Sequence, residues 1–203
     1  MNSQNNEAQI VANYFKSRKG IVLDIGANDG QTFSNSYDLI KSGWSGVLIE
    51  PGNVFSKLES LHKENKLVTC YQLAISDKEQ MLTFYESGAH VKNGSDRGLV
   101  STLDEKETIR WRNNGVEFTE RKIQAVPFSW VLKWHKQFDF ITIDAEGLDF
   151  QILKQINLDL VGCKCLCIEW NGDQKLSQEF KMYCAMYGLK EIARNKENII
   201  FAK

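Results

Sequence analysis

No apolar run in this chain approaches the roughly twenty residues needed to cross a bilayer. The polar start Met1-Asn-Ser-Gln-Asn-Asn-Glu7 contains no apolar signal core. The chain therefore reads as cytoplasmic, with no membrane span. Basic residues are not in excess: 25 Lys+Arg stand against 26 Asp+Glu, for a net charge of −1. That balance argues against a nucleic-acid partner, because a broad phosphate footprint needs a basic surface. Repeats, linkers and low-complexity segments are absent. Five cysteines, an odd number, in a chain without a secretion signal argue against a disulfide framework. Cys163, Cys165 and Cys167 alternate, and on a strand they would share one face. They lack Cys-x-x-Cys spacing and a nearby histidine, so they read as small buried hydrophobes rather than thiolate metal ligands.

What is present points to a single α/β domain over residues 1–203, with ordinary apolar (42%) and charged (25%) content. Its organising stretch is Ile21-Val-Leu-Asp-Ile-Gly-Ala-Asn-Asp-Gly30. A short apolar run ends in a turn containing Gly26, Ala27, Asn28 and Gly30. Phe33, Tyr37 and Ile40 then follow at helical spacing, so a helix is expected over 31–42. Glycines in such a turn let a ligand approach the backbone. Asp24, inside the apolar run, needs a partner, because an unpaired buried charge is costly. A ligand ammonium group or nearby backbone N–H groups would supply one.

A second apolar run, Gly46-Val-Leu-Ile-Glu50-Pro51, also ends in a carboxylate. At the tip of the second strand of a nucleotide-binding βαβ unit, Glu50 can accept from both ribose hydroxyls. An acid for an amino group and an acid for a ribose match the two ends of S-adenosylmethionine. A dinucleotide site would more often carry Gly-x-Gly-x-x-Gly. Here the spacing is Gly26-x-x-x-Gly30, and the third glycine is missing.

Four blocks then occur in a telling order: Asp24-Ile-Gly-Ala-Asn-Asp-Gly-Gln-Thr-Phe33, Trp44-Ser-Gly-Val-Leu-Ile-Glu-Pro51, Ala74-Ile-Ser-Asp77 and Ile143-Asp-Ala-Glu-Gly-Leu-Asp149. In that order they resemble FkbM-type methyltransferases, whose usual Asp-Val-Glu-Gly is close to Asp144-Ala-Glu-Gly147. The resemblance implies the class I methyltransferase Rossmann-like fold. It also implies S-adenosylmethionine as cofactor and a hydroxyl as the usual acceptor, on a sugar, a lipid-linked group or another small molecule.

Along the rest of the chain, helices are expected over 5–18 and 53–64, the latter with His62 in its last turn. Strands are expected at 46–50, 67–73, 138–144 and 165–169. Two closing strands, 189–194 and 198–202, are joined by a loop too short for a crossover helix, so they must be antiparallel. The sum is a mostly parallel seven-stranded sheet with a terminal hairpin and helices on both faces. Because ligands bind outside the carboxyl ends of such strands, Ala74, Ile75 and Ser76 are expected to wall an adenine.

Two further strands, 81–86 and 121–126, bracket a polar segment, and residues 87–120 read as a lid or acceptor-binding insertion. Its candidate contacts are His90, Arg97, Arg110, Trp111 and Arg112. Thr102-Leu-Asp-Glu105 has the form of a capping box.

For chemistry, Asp144 and Glu146 stand where an acceptor would approach, with His90 able to reach the same mouth from the insertion. His135 is expected at the other end of its strand. An alcohol is a poor acid, so its proton must be taken by a base or its oxygen bound by a cation. Asp144, Glu169 and Asn171 form a possible hard-oxygen set for magnesium or another divalent cation. Alternatively, Asp144 and Glu146 could simply bond backbone N–H groups and shape their turn. Two other classes compete: an NAD-dependent oxidoreductase, which Glu50 also fits, and a methyltransferase-like domain that only binds. Acceptor identity and oligomeric state are not written in the sequence.

Overall fold

The computed structural model describes residues 2–88 and 98–203. In chain order the first half gives α1 (Glu7–Phe15), β1 (Ile21–Ile25), α2 (Tyr37–Lys41), β2 (Ser45–Ile49), α3 (Phe55–His62) and β3 (Val68–Tyr71). Then come β4 (Ala74–Ile75), β5 (Gln80–Ser87), α4 (Glu105–Arg112) and β6 (Phe118–Val126), with α4 inside the 87–120 segment. The second half gives α5 (Phe128–Val131), β7 (Phe140–Ile143), α6 (Asp149–Leu153), β8 (Cys165–Glu169), α7 (Gln174–Met186), β9 (Lys190–Arg194) and β10 (Asn198–Ala202).

Seven strands form the main sheet in the order β3-β2-β1-β7-β8-β10-β9. The first five run parallel, and β10 enters antiparallel between β8 and β9. Alternate residues feed two cores. Leu23, Ile25, Ile141, Ile143 and Leu166 pack under α5, α6 and α7 with Phe128, Leu153 and Phe180. Val22, Leu48 and Phe140 face α1, α2 and α3 with Val11, Phe15, Ile40 and Leu58. Strand order reverses between β1 and β7, so the crevice beyond their carboxyl ends is the ligand position of this architecture.

The bracketing strands β5 and β6 do not extend the main sheet. They pair antiparallel from Gln80↔Ala125 to Ser87↔Phe118, and β4 joins β6 to make a separate three-stranded sheet.

Several sequence expectations give way to local chemistry. The helix expected over 31–42 spans only Tyr37–Lys41. Ahead of it, Ser34 Oγ accepts from the N–H groups of Ser36 and Tyr37, and Phe33 has φ +55° and is half exposed. Serine and asparagine at 34–36 favour such turn bonds over helix interior. The capping box also fails. Asp104, not Thr102, caps α4 by accepting from the Lys106 N–H at 2.9 Å. The cysteines do not share a face: Cys165 and Cys167 lie in the α1 side core, whereas Cys163 precedes β8 and lies in the other. All three are fully buried, and burial pushes their thiols up, as suits inert core residues.

Candidate functional site

A cleft of about 320 Å³ opens at the carboxyl ends of β1, β2, β7 and β8. On its β1–β2 side, Asp24 is buried and accepts from Ser36 Oγ at 2.6 Å. Burial pushes its pKa up to about 6, against the pull of the Ser36 hydrogen bond. Beside it, Asn35 donates to Thr142 Oγ1 at 3.2 Å, while its Oδ1 is buried without a partner among the described residues.

Glu50 follows β2. Its two oxygens accept from the backbone N–H of Asn28 (2.9 Å) and Gly52 (2.7 Å). Burial drives its pKa up to about 7; those two bonds pull it down, and Asp24 and Glu86 push it further up. A carboxylate has about four lone-pair sites, so two backbone bonds leave acceptor capacity toward the cleft.

The glycines of this turn make room for protein rather than for ligand. Gly26 has φ +88°, and a Cβ there would overlap the Asp144 carbonyl oxygen. Gly30 has φ +78°, and its Cβ would press on Leu58 at 2.5 Å. The first turn is thus fitted against the turn after β7 and the top of α3. Among the described residues five non-glycines have positive φ, and four of them, Asn28, Phe33, Glu146 and Asn171, line the cleft. Local strain of this kind collects where a site must be shaped.

On the other side, the turn after β7 carries Asp144, Glu146 and Asp149. Asp149 does the turn-shaping assigned above, as an alternative, to its neighbours: it accepts from the N–H groups of Ala145 (2.9 Å) and Gly147 (3.2 Å). Asp144 and Glu146 are left for other work. The Asp144 side chain is exposed to the cleft, though it sits deep below the outer surface. That depth, then Asp149, Asp24 and Glu50 nearby, push its pKa up. Glu146 and Glu169 are each only 8% exposed. Burial first, then Asp144 and the other acids, raise both. Oxygens of Asp144, Glu146 and Glu169 lie within 4.8 Å of one another. Asn171, expected in the cation set, also lines the cleft, with φ +47°.

The fourth wall comes from the insertion. Residues 98–103, Arg110 and Trp111 line the cleft. Thr102 Oγ1 donates to the Glu146 carbonyl at 2.7 Å, which ties the insertion to the turn after β7. Ala74 and Ile75 face the cleft together with Leu73. Ser76 turns aside: its N–H bonds the Val126 carbonyl and its hydroxyl the Lys78 carbonyl, and it does not line the cleft. His135 shares a 2.9 Å hydrogen bond with Tyr71 and also lies off the cleft. His90 and Arg97 lie outside the described residues.

This geometry meets a family pattern. Residues 24–187 match the model of the Methyltransferase FkbM domain. The chain belongs to the FkbM methyltransferase family. It is an S-adenosylmethionine-dependent methyltransferase, which sets aside the nicotinamide alternative. No curated protein matches the sequence. Among solved structures, the FkbM methyltransferase from Methylobacillus flagellatus KT superposes with TM-score 0.55 at 12% identity. The match covers 92% of this chain and 44% of that one, so this chain spans less than half the length of that protein. The ribosomal protein L11 methylase from Lactobacillus delbrueckii subsp. bulgaricus gives TM-score 0.50 at 12% identity, covering 97% and 75%. At such identities the likeness is one of fold.

The FkbM cleft has groups suited to S-adenosylmethionine. The orphaned Asn35 Oδ1 beside Asp24 offers acceptors for an ammonium group, and the spare lone pairs of Glu50 offer acceptors for ribose hydroxyls. Sequence reasoning missed Asn35, Ser36, Gly52 and Asp149. The Ser34-Asn-Ser36 run, poor in helix formers, was the signal for the first two. An acid at a helix start, two residues after a glycine, was the signal for Asp149.

Proposed function

We propose that this FkbM enzyme methylates a hydroxyl oxygen on a neutral small acceptor: a sugar, a lipid-linked head group or a comparable metabolite. One observation carries the reading. Asp144 stands open to the cleft between the groups suited to the cofactor and a cluster of acids, so an acceptor oxygen there meets a proton acceptor. Bound S-adenosylmethionine supplies a methyl group on a positively charged sulfur. Asp144 takes the hydroxyl proton as the oxygen closes on that carbon, and a carboxyl raised above its ordinary range holds the proton more firmly. The insertion positions the acceptor through the segment at 98–103 and through Arg110 and Trp111, and it shields the reacting atoms from water. The acid-rich mouth opposes a polyphosphate acceptor, which supports a small neutral molecule over nucleic acid. Magnesium or another divalent cation at the same acids is the second way to activate the hydroxyl.

The test is a panel of sugars, lipid-linked glycosides and small alcohols with methyl-labelled cofactor, with the product bond read by mass spectrometry. Asp144→Asn should lower turnover of an accepted hydroxyl by about 10²–10⁴-fold with little change in cofactor affinity. Label found only on nitrogen would end the hydroxyl reading. A loss below tenfold would remove Asp144 as the base.

A further inference from the structure

The acids at the ends of β7 and β8 fall into two kinds. Asp149 accepts two backbone N–H groups and is explained by its turn. Asp144 and Glu146 are not, and Glu169 has the Asn171 side chain as its hydrogen-bond partner. Each offers a carboxylate oxygen, and the three oxygens lie within 4.8 Å of one another. Glu146 is more than nine-tenths buried, and its Oε2 has no partner among the described residues. Arg110, on the neighbouring α4, bonds Glu107 at 3.3 Å and eases the charge on Glu146 without a hydrogen bond to it. A buried carboxylate oxygen beside two more carboxylates, with no positive group bonded to it, calls for a cation from outside the chain.

We propose that Asp144, Glu146 and Glu169 hold one divalent cation, Mg²⁺ or Mn²⁺, which takes the acceptor's hydroxyl oxygen as a further ligand. The cation site stands on the cluster alone; its use in catalysis rests on the hydroxyl reading above. An all-carboxylate donor set selects hard cations over thiolate- or imidazole-loving ones. Octahedral ligands at about 2.1 Å sit about 3 Å apart when adjacent and about 4.2 Å when opposite, so the three oxygens close on Mg²⁺ by drawing inward by up to about 1 Å each. Glu146 and Glu169 supply buried anchors. Asp144, exposed to the cleft, leaves the outward positions for water and acceptor.

With the cation in place, one Asp144 oxygen would bind it and the other would remain the proton acceptor. The cation would draw electron density from the acceptor hydroxyl and ease the loss of its proton to that oxygen. The oxygen pair forms the new C–O bond, and the pair of the broken C–S bond stays on sulfur. Glu146 joins Asp144 and Glu169 of the set read from sequence, and Asn171 stands beside them as the hydrogen-bond partner of Glu169.

The full chain, stripped of metal, can be titrated with Mn²⁺ while the free-ion electron paramagnetic resonance signal is followed. The expected result is one Mn²⁺ per chain, displaced by Mg²⁺. Binding should be weakened at least tenfold in Glu146→Gln and in Glu169→Gln, with S-adenosylmethionine affinity changed less than threefold. The proposal is overturned if millimolar Mn²⁺ stays free, or if both variants bind it as the parent does. It is also overturned if a simple alkylammonium ion binds this cluster in preference to Mn²⁺, which would make the cluster an amine pocket. The two readings fail separately. Chelator-insensitive hydroxyl methylation without Mn²⁺ binding would leave the hydroxyl reading and remove the cation. Mn²⁺ bound at the cluster of an enzyme that methylates only nitrogen would leave the cation site and remove the hydroxyl reading.

Discussion

Glu50 holds two turns together at the edge of the cleft. It bonds Asn28 and Gly52 and keeps lone pairs for the cleft. Its folded pKa of about 7 lies above the ordinary 4.5 of a glutamate. The folded state therefore binds the proton more tightly than the unfolded state does. Stability from this source is fully present below about pH 4.5 and is lost as pH rises through about 7. His62 and His135 shift downward through burial and act oppositely below about pH 6.5, but they are common to parent and variant and cancel in the difference. The cofactor-free parent should thus lose thermal stability between pH 6 and 8 relative to Glu50→Gln, measured by scanning fluorimetry. Parallel curves would show that Glu50 does not titrate there. The same substitution should weaken S-adenosylmethionine binding by about 1.5–3 kcal/mol, the worth of hydrogen bonds to a charged group, read by calorimetry.

Among the elements, the insertion is the informative one. Its strands β5 and β6 pair as far as Ser87↔Phe118, so the two chain ends already face each other there. Replacing residues 88–117 by a short Asn-Gly-type turn would close that hairpin in register. Because Asp24, Asn35 and Glu50 lie outside the replaced segment, cofactor affinity should change less than tenfold. Turnover should be lost, since Trp111, Arg110 and the Thr102 bond to Glu146 go with it. A trimmed enzyme with full turnover would show the insertion to be dispensable to acceptor binding. The thirteen residues of α7, capped by Asp173, are legible in the sequence because so long a helix repeats its apolar spacing. Sequence pattern overran at α2, where five helical residues follow a serine-bonded turn.

Across the whole molecule, Glu7 fastens α1 to the terminal hairpin. It is fully buried and accepts from the side-chain amides of Asn195 (2.6 Å) and Asn198 (3.0 Å) and from the backbone N–H of Asn5 (2.9 Å). Those bonds outweigh its burial and lower its pKa, so its contribution is present above about pH 4.5 and fades as pH falls below that. Glu7→Ala should cost roughly 3 kcal/mol at neutral pH, because it strands the buried Asn198 amide and the half-buried Asn195 amide, and a urea midpoint would show it. A change under about 0.5 kcal/mol would mean that the network is ornamental. The sequence by itself determined the main strands and their closing hairpin, the turn at Gly26–Gly30, and the acids Asp24, Glu50 and Asp144 that line the cleft. Each of these is a short-range signal, written as an apolar run broken by glycine or a carboxylate. Only the tertiary structure decided that Gly26 yields space to the Asp144 carbonyl. It alone set β5 and β6 apart from the main sheet, made Asp149 the turn-shaper, and brought Glu146 and Glu169 together across two strands. Those facts depend on groups far apart in the chain meeting at a few ångströms, a distance that no local pattern encodes.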